Sequence, residues 1–255
     1  MGSLLLQIIL ILALVPCNAS QTLQELQDDF LLYRSLYVQL SNMPARTNQP
    51  MHYYRKGQSS LLITAPHTLN HFRYGRYKKA DWNTGPVIEL LANRSNHHLF
   101  FLRRARGIDP YKVLWTPFRK ALKKTVDANK EIKLILDLHS AARHREFDID
   151  LGDMHSKSLL SYPWLSDFLY EKFTNCGFKT SRNFFSASKN LTLTRFAREQ
   201  LALDTVQIEV NSRISDQDSP QLQQFIKCFT QTLEALQKKL DKESWEGMDP
   251  DSSAK

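Results

Sequence analysis

The stretch Lys133-Leu134-Ile135-Leu136-Asp137-Leu138-His139-Ser140 decides the reading of this chain. Leu134 to Leu136 form a short apolar run, the pattern of a strand covered on both faces in a largely parallel sheet. Asp137 and His139 then follow two residues apart. A carboxylate and an imidazole in such a strand cost several kcal/mol unless they pair with each other or face a cation.

Outward from this stretch, the same grammar repeats. Leu61-Leu62-Ile63-Thr64-Ala65 is an apolar run ended by Pro66 and followed by His67. Leu99-Phe100-Phe101-Leu102 is another, inside His97 to Arg103. Thr205-Val206-Gln207-Ile208-Glu209-Val210 is the last, with Asn211 behind it. Between them lie helical patterns: Thr22 to Asn42, Asp81 to Asn96, Asp109 to about Lys130, Tyr162 to Cys176, Leu191 to Leu203 and Pro220 to Lys242. Asp109-Pro110 supplies a helix-start signal, and Gly177 a stop. Met43 to Ser59 reads as a loop. The alternation predicts an α/β fold: a mixed, mainly parallel sheet flanked by helices on both faces.

In open α/β sheets, sites form beyond the carboxyl ends of the strands. If these strands are parallel, His67, His139 and Glu209 converge on one rim. Two imidazoles and a carboxylate can hold zinc with a position left open, and a further carboxylate can act as base. No Gly-x-Ser-x-Gly turn is present for a serine hydrolase. The competing explanation is structural: a loop histidine at 67, and mutual satisfaction of Asp137 and His139. A nearby cation accounts for all the placements at once.

The 255 residues, 42% hydrophobic and 24% charged, exclude a wholly disordered chain. The net charge of +8 gathers around Arg103, Arg104 and Arg106, then Arg119, Lys120, Lys123 and Lys124. Without a nucleic-acid motif, this reads as a solvated basic surface or a cleft for an anionic substrate, and no nucleic-acid partner is expected. Leu4 to Val15 is apolar apart from Gln7, with small residues Cys17 and Ala19 before a cut after Ala19. The expectation is a cleaved secretory signal at 1–19, since a bilayer needs about 20 apolar residues. A single domain over 20–242, a disordered tail at 243–255 and no membrane attachment after cleavage follow. Secretion makes a Cys176–Cys228 disulfide the expectation, and opens Asn93-Arg94-Ser95 and Asn190-Leu191-Thr192 to glycosylation.

Pro66-His67, Asp81-Trp82-Asn83-Thr84-Gly85, Ile108-Asp109-Pro110, Asp137-Leu138-His139-Ser140 and Val206-Gln207-Ile208-Glu209-Val210-Asn211 follow one another in an order that resembles the N-formylglutamate amidohydrolase family. That family is similar in fold to zinc carboxypeptidases and aspartoacylases. The resemblance implies zinc on His67 and His139, with Glu209 as general base and later proton donor to the leaving amine. For the third ligand it offers Asn70, three after the first histidine, or Asp81; Asp81 is chemically the better donor. Where related enzymes carry an Asn-Arg pair that grips a substrate carboxylate, this chain has Tyr111-Lys112. Lys112 keeps the charge and loses the planar fork. Arg104, Arg106, Arg143 and Arg145 are the replacements for anion binding or for polarising the scissile carbonyl. Arg106 is assigned to catalysis, and Lys112, Arg143 and Asn211 to substrate binding. The expected substrate is a small N-acyl amino acid or peptide bearing a carboxylate. The alternative is a catalytically weakened binder of anionic ligands on the same scaffold.

Overall fold

The computed structural model of the chain describes residues 23–42, 51–73, 75–104, 109–111, 113–188, 191–216 and 219–246. The expected signal segment, Asn190, Arg106 and Lys112 lie outside the described residues. The strands are β1 (His52–Arg55), β2 (Leu61–Ala65), β3 (His71–Arg73), β4 (Arg76–Lys78), β5 (His98–Leu102), β6 (Leu134–Ala141), β7 (Ile149–Gly152), β8 (Thr180–Arg182) and β9 (Asp204–Asn211). The helices are α1 (Leu23–Asn42), α2 (Thr84–Arg94), α3 (Pro117–Ala128), α4 (Leu165–Asn175), α5 (Leu193–Phe196) and α6 (Pro220–Glu246).

Seven strands form one sheet in the order β1-β5-β2-β6-β9-β7-β8, and β3 and β4 form a separate hairpin. The centre, β5-β2-β6-β9, is parallel throughout. β1 closes one side antiparallel to β5, and β7 joins the other antiparallel to β9. Every residue of β2 and β5 is buried, which requires cover on both faces. Phe118 of α3 meets Phe100 of β5 edge-on at 4.9 Å between ring centroids. α2 packs on β2 and β6, and α5 on β9. The mixed, mainly parallel sheet with flanking helices is the architecture expected.

The long C-terminal helix shows how periodicity becomes packing. Leu222, Phe225, Ile226, Phe229, Leu233, Leu236 and Leu240 recur at helical spacing and are all buried. Fully burying one such side chain contributes roughly 1.5–3 kcal/mol. Cys228 on this helix forms a disulfide with Cys176 just past α4, as expected. No helix among the described residues is long and apolar enough to cross a membrane.

Several boundaries differ from expectation, each for a local reason. The helix expected from Asp109 starts at Pro117 instead. Thr116 caps it, its side chain accepting from Arg119 N. Thr116-Pro117 repeats the signal of Asp109-Pro110, and the Asp109 carboxylate is drawn away to other partners (below). α2 begins three residues past Asp81, because Asn83 sits in the left-handed region at φ 56° and turns the chain. The helix expected at Leu191 to Leu203 is α5 followed by a π turn over Ala197–Leu201, ended by Ala202 at φ 54°. The segment 43–59, expected to be a loop, contains β1; four half-exposed residues carry too little pattern to be seen. α6 continues past Lys242 to Glu246, into the expected tail.

Candidate metal centre

Parallel pairing places the chemistry. β6 and β9 run in register, with His139 opposite Glu209. Parallel β2 on the other side of β6 delivers His67, two residues beyond its last residue. The three residues therefore share the carboxyl end of the central sheet.

Asp81 arrives by a fold-back. The chain leaves His67, forms the β3–β4 hairpin and returns, and Asp81 N donates to His67 O at 2.8 Å. Asn70 Oδ1 accepts from Ala80 N at 2.9 Å and so ties the base of this loop. The acceptor of Asn70 is thereby engaged in holding the backbone beside Asp81.

Three donor atoms meet. His139 Nδ1 lies 2.8 Å from Asp81 Oδ2, His67 Nδ1 lies 3.3 Å from His139 Nδ1, and His67 Nδ1 lies 3.6 Å from Asp81 Oδ2. Zinc bonds of 2.0–2.1 Å in a tetrahedron imply donor separations of about 3.3–3.4 Å, inside this range. The residues present therefore fit a zinc ion.

Each imidazole is oriented from behind through its other nitrogen. His67 Nε2 lies 3.1 Å from Asp109 Oδ1, and His139 Nε2 lies 3.0 Å from Asp137 Oδ2. Both carboxylates are almost fully buried and are themselves held. Asp109 accepts from Tyr111 N and from Arg73 Nε. Asp137 accepts from Thr64 Oγ1 at 2.6 Å and from Tyr111 Oη at 2.7 Å. A carboxylate behind each ligating histidine fixes its tautomer and ring plane. Tyr111 Oη is also 3.0 Å from His139 Nε2, and its ring meets His67 edge-on at 4.6 Å. Burial and Asp137 push the Tyr111 phenol well above 10, so it stays a donor.

The electrostatics favour a cation. Asp81, Asp109, Asp137 and Glu209 gather around two histidines, and Arg73 is the cation paired with Asp109. Burial works to raise Asp81, yet hydrogen bonds from His139 and His67 hold it well below the usual carboxylate range. Burial opposes charge on His139, while Asp137 and Asp81 draw its pKa well above 6.5. Glu209 is different: burial pushes it up to about 7, with the Asp81, Asp150 and Asp137 charges adding to the effect against His139. Its Oε1 accepts from Gln207 Nε2 at 2.8 Å. Oε2 is the oxygen not used in that bond.

Of the residues expected to bind substrate, Lys112 lies outside the described residues, and Arg143 and Asn211 are engaged with other partners. Arg143 is 70% exposed at its side chain and pairs with Asp216 at 3.1 Å. Asn211 is fully buried; its amide donates to Arg145 O and Phe147 O, and it holds the loop after β6. Arg145 stacks against Phe184 and Phe185. Asp109, Tyr111, Arg73 and Gln207 were not assigned to the site from sequence. For Gln207 a signal existed, because alternation along β9 puts it on the face of Glu209. For Asp109 the helix-cap reading masked its role.

No protein-family model matches the sequence, and no curated protein matches it. Among solved structures, the chain is similar to a gene product of Agrobacterium tumefaciens, with TM-score 0.55 and 12% identity over 74% of this chain and 96% of that one. A bacteriophage poly-gamma-glutamate hydrolase follows at TM-score 0.46 and 9% identity, covering 75% of this chain and 92% of that one. Succinylglutamate desuccinylase from Chromobacterium violaceum matches at TM-score 0.45 and 14% identity, covering 79% and 75%. At such identities the likeness to the Agrobacterium protein is one of fold.

Proposed function

We propose that this chain is a secreted zinc-dependent amidohydrolase that cleaves the amide bond of a small N-acyl amino acid or peptide bearing a carboxylate. One observation carries the reading: His67 Nδ1, His139 Nδ1 and Asp81 Oδ2 lie 2.8–3.6 Å from one another, a range that brackets tetrahedral spacing, with a buried carboxylate behind each histidine. Zinc held by these residues would supply a Lewis acid that brings the pKa of a bound water near 7 and polarises a carbonyl.

The protein's own groups then divide the work. Asp109 and Asp137 hold the two imidazoles in place, and Tyr111 links Asp137 to His139. Glu209 takes the proton of the attacking water at Oε2 while Gln207 holds Oε1. The water oxygen bonds to the carbonyl carbon. Glu209 returns the proton to the amide nitrogen as the C–N bond breaks, leaving a carboxylic acid and an amine. Burial raises this carboxyl to about 7 in the zinc-free protein, and the charge of a zinc ion beside it would lower it toward the ionised form that accepts a proton. The apolar N-terminal segment and the Cys176–Cys228 disulfide support secretion.

The test joins metal content with hydrolysis. Freshly purified protein should carry about one zinc per chain by elemental mass spectrometry, and His67→Ala or His139→Ala should lose it. A panel of N-acyl amino acids and short peptides should include one hydrolysed in a chelator-sensitive, zinc-restorable way. Protein without zinc, or turnover indifferent to chelation, would overturn the proposal. Tight anion binding with no turnover across the panel would favour the binding-protein alternative.

A further inference from the structure

A cavity of about 270 Å³ opens between α1 and the segment that carries Asp81. Its wall includes Arg34, Tyr37, Lys79, Asp81, Trp82 and Pro86. The cavity exists because α1 is clamped onto α2. Gly85 lets the Tyr37 ring come so close that an added Cβ would stand 2.3 Å from it. Tyr37 Oη donates to the buried Glu89 carboxylate at 3.2 Å. Arg34, three residues before Tyr37, therefore faces the same side of α1. Its guanidinium lies over the Trp82 ring at 5.3 Å from the centroid.

Charge balance in this cavity is unusual. No described carboxylate forms an ion pair with Arg34 or Lys79. Asp81 lies at the edge of the cavity but turns its Oδ2 to the two histidines. The rest of the wall is mostly apolar, from Tyr37, Val38, Trp82 and Pro86. Two cations with no ion-pair partner among the described residues, on a mostly apolar cavity, suit an anion with an apolar body, and the space amounts to about nine water volumes. A guanidinium over an indole keeps its outer N–H groups free for a carboxylate.

From this geometry we infer that the α1 cavity is the substrate's acid pocket, with Arg34 and Lys79 as its carboxylate contacts and Trp82 as its apolar wall. The inference rests on the amidohydrolase reading for its place beside the reaction centre. It makes α1 a specificity element of the site, and it puts the substrate carboxylate on the Asp81 side of the zinc ligands.

The experiment uses chelator-treated, zinc-free protein, so that an acid cannot bind through the metal. Calorimetry with 3-phenylpropionate and with 3-phenylpropionamide compares an anion with its neutral counterpart. The wild-type protein should prefer the acid by about tenfold, the low end for a charge-assisted contact in a half-open site. Arg34→Gln and Lys79→Gln should each reduce that preference and together abolish it, while Arg34→Lys retains part. In zinc-loaded protein the same variants should raise KM for a carboxylate substrate and leave kcat nearly unchanged. Equal binding of acid and amide, binding of neither, or a preference untouched by both glutamine variants would overturn the inference. Lys79→Gln lies at an exposed position and keeps the test valid if Arg34→Gln loosens α1. A protein without zinc or turnover that still prefers the acid would sink the amidohydrolase reading alone. A turning-over enzyme without that preference would sink the pocket alone.

Discussion

Replacing Glu209 by glutamine should stabilise the zinc-free protein at pH 8 and change it little at pH 5. Burial and the neighbouring acids raise the folded-state pKa of Glu209 from 4.5 to about 7. A carboxyl raised on folding binds its proton more tightly in the native state. Stability is therefore lost as pH rises from about 4.5 to about 7, and the full cost is present above that window. The shift corresponds to about 3–4 kcal/mol at most, and the partial exposure of Glu209 leaves roughly 1–3 kcal/mol. For a domain of this size each kcal/mol moves Tm by about 2–4 °C. Glutamine keeps the shape and can still accept the Gln207 Nε2 bond at Oε1. Thermal unfolding of chelated wild type and Glu209→Gln at the two pH values reads the difference directly. A gain at pH 8 that shrinks or vanishes at pH 5 is the expected result. An equal change at both values, or a loss at pH 8, would refute the reasoning. The same variant should keep its zinc and lose hydrolysis by about 10²–10⁴-fold, because the cost in stability belongs to the group that moves the proton.

Tyr111→Phe removes the donor from Asp137 and the link to His139, so zinc affinity in a competition titration should fall by about 10–100-fold with the fold retained. Asp81→Asn should weaken zinc far more than Asn70→Ala in that assay, because Asp81 Oδ2 faces both histidines and Asn70 only ties Ala80. Cys176→Ser opens a cross-link between the end of α4 and α6 with a sequence separation of 52; chain entropy sets the stability loss at about 4 kcal/mol, read by denaturant unfolding. Unreduced intact mass should show no free thiol at Cys176 or Cys228.

Strong local patterns in the sequence announced much of this arrangement. The buried runs at Leu61–Ala65, His98–Leu102, Leu134–Ala141 and Asp204–Asn211 are strands because continuous apolar residues need cover on both faces. The amphipathic period of α6 was equally clear. Short elements such as β1 and β8 were not, because three or four half-exposed residues hold too little pattern and owe their pairing to a neighbour already in place. Competing helix-start signals at Asp109-Pro110 and Thr116-Pro117 could not be ranked locally. The choice depends on where the Asp109 carboxylate finds a histidine and an arginine.

The sequence by itself placed His67, His139 and Glu209 at strand ends, since alternation and burial are properties of neighbouring residues. Only the tertiary structure decided what surrounds them. Parallel register puts His139 opposite Glu209, the β3–β4 fold-back brings Asp81 to both histidines, and Asp109 and Asp137 stand behind the rings. Likewise, α1 sets Arg34 over Trp82 from a distant part of the chain. These are long-range pairings of charges and hydrogen bonds. Their partners are chosen by which groups burial leaves facing one another, and no local pattern records that choice.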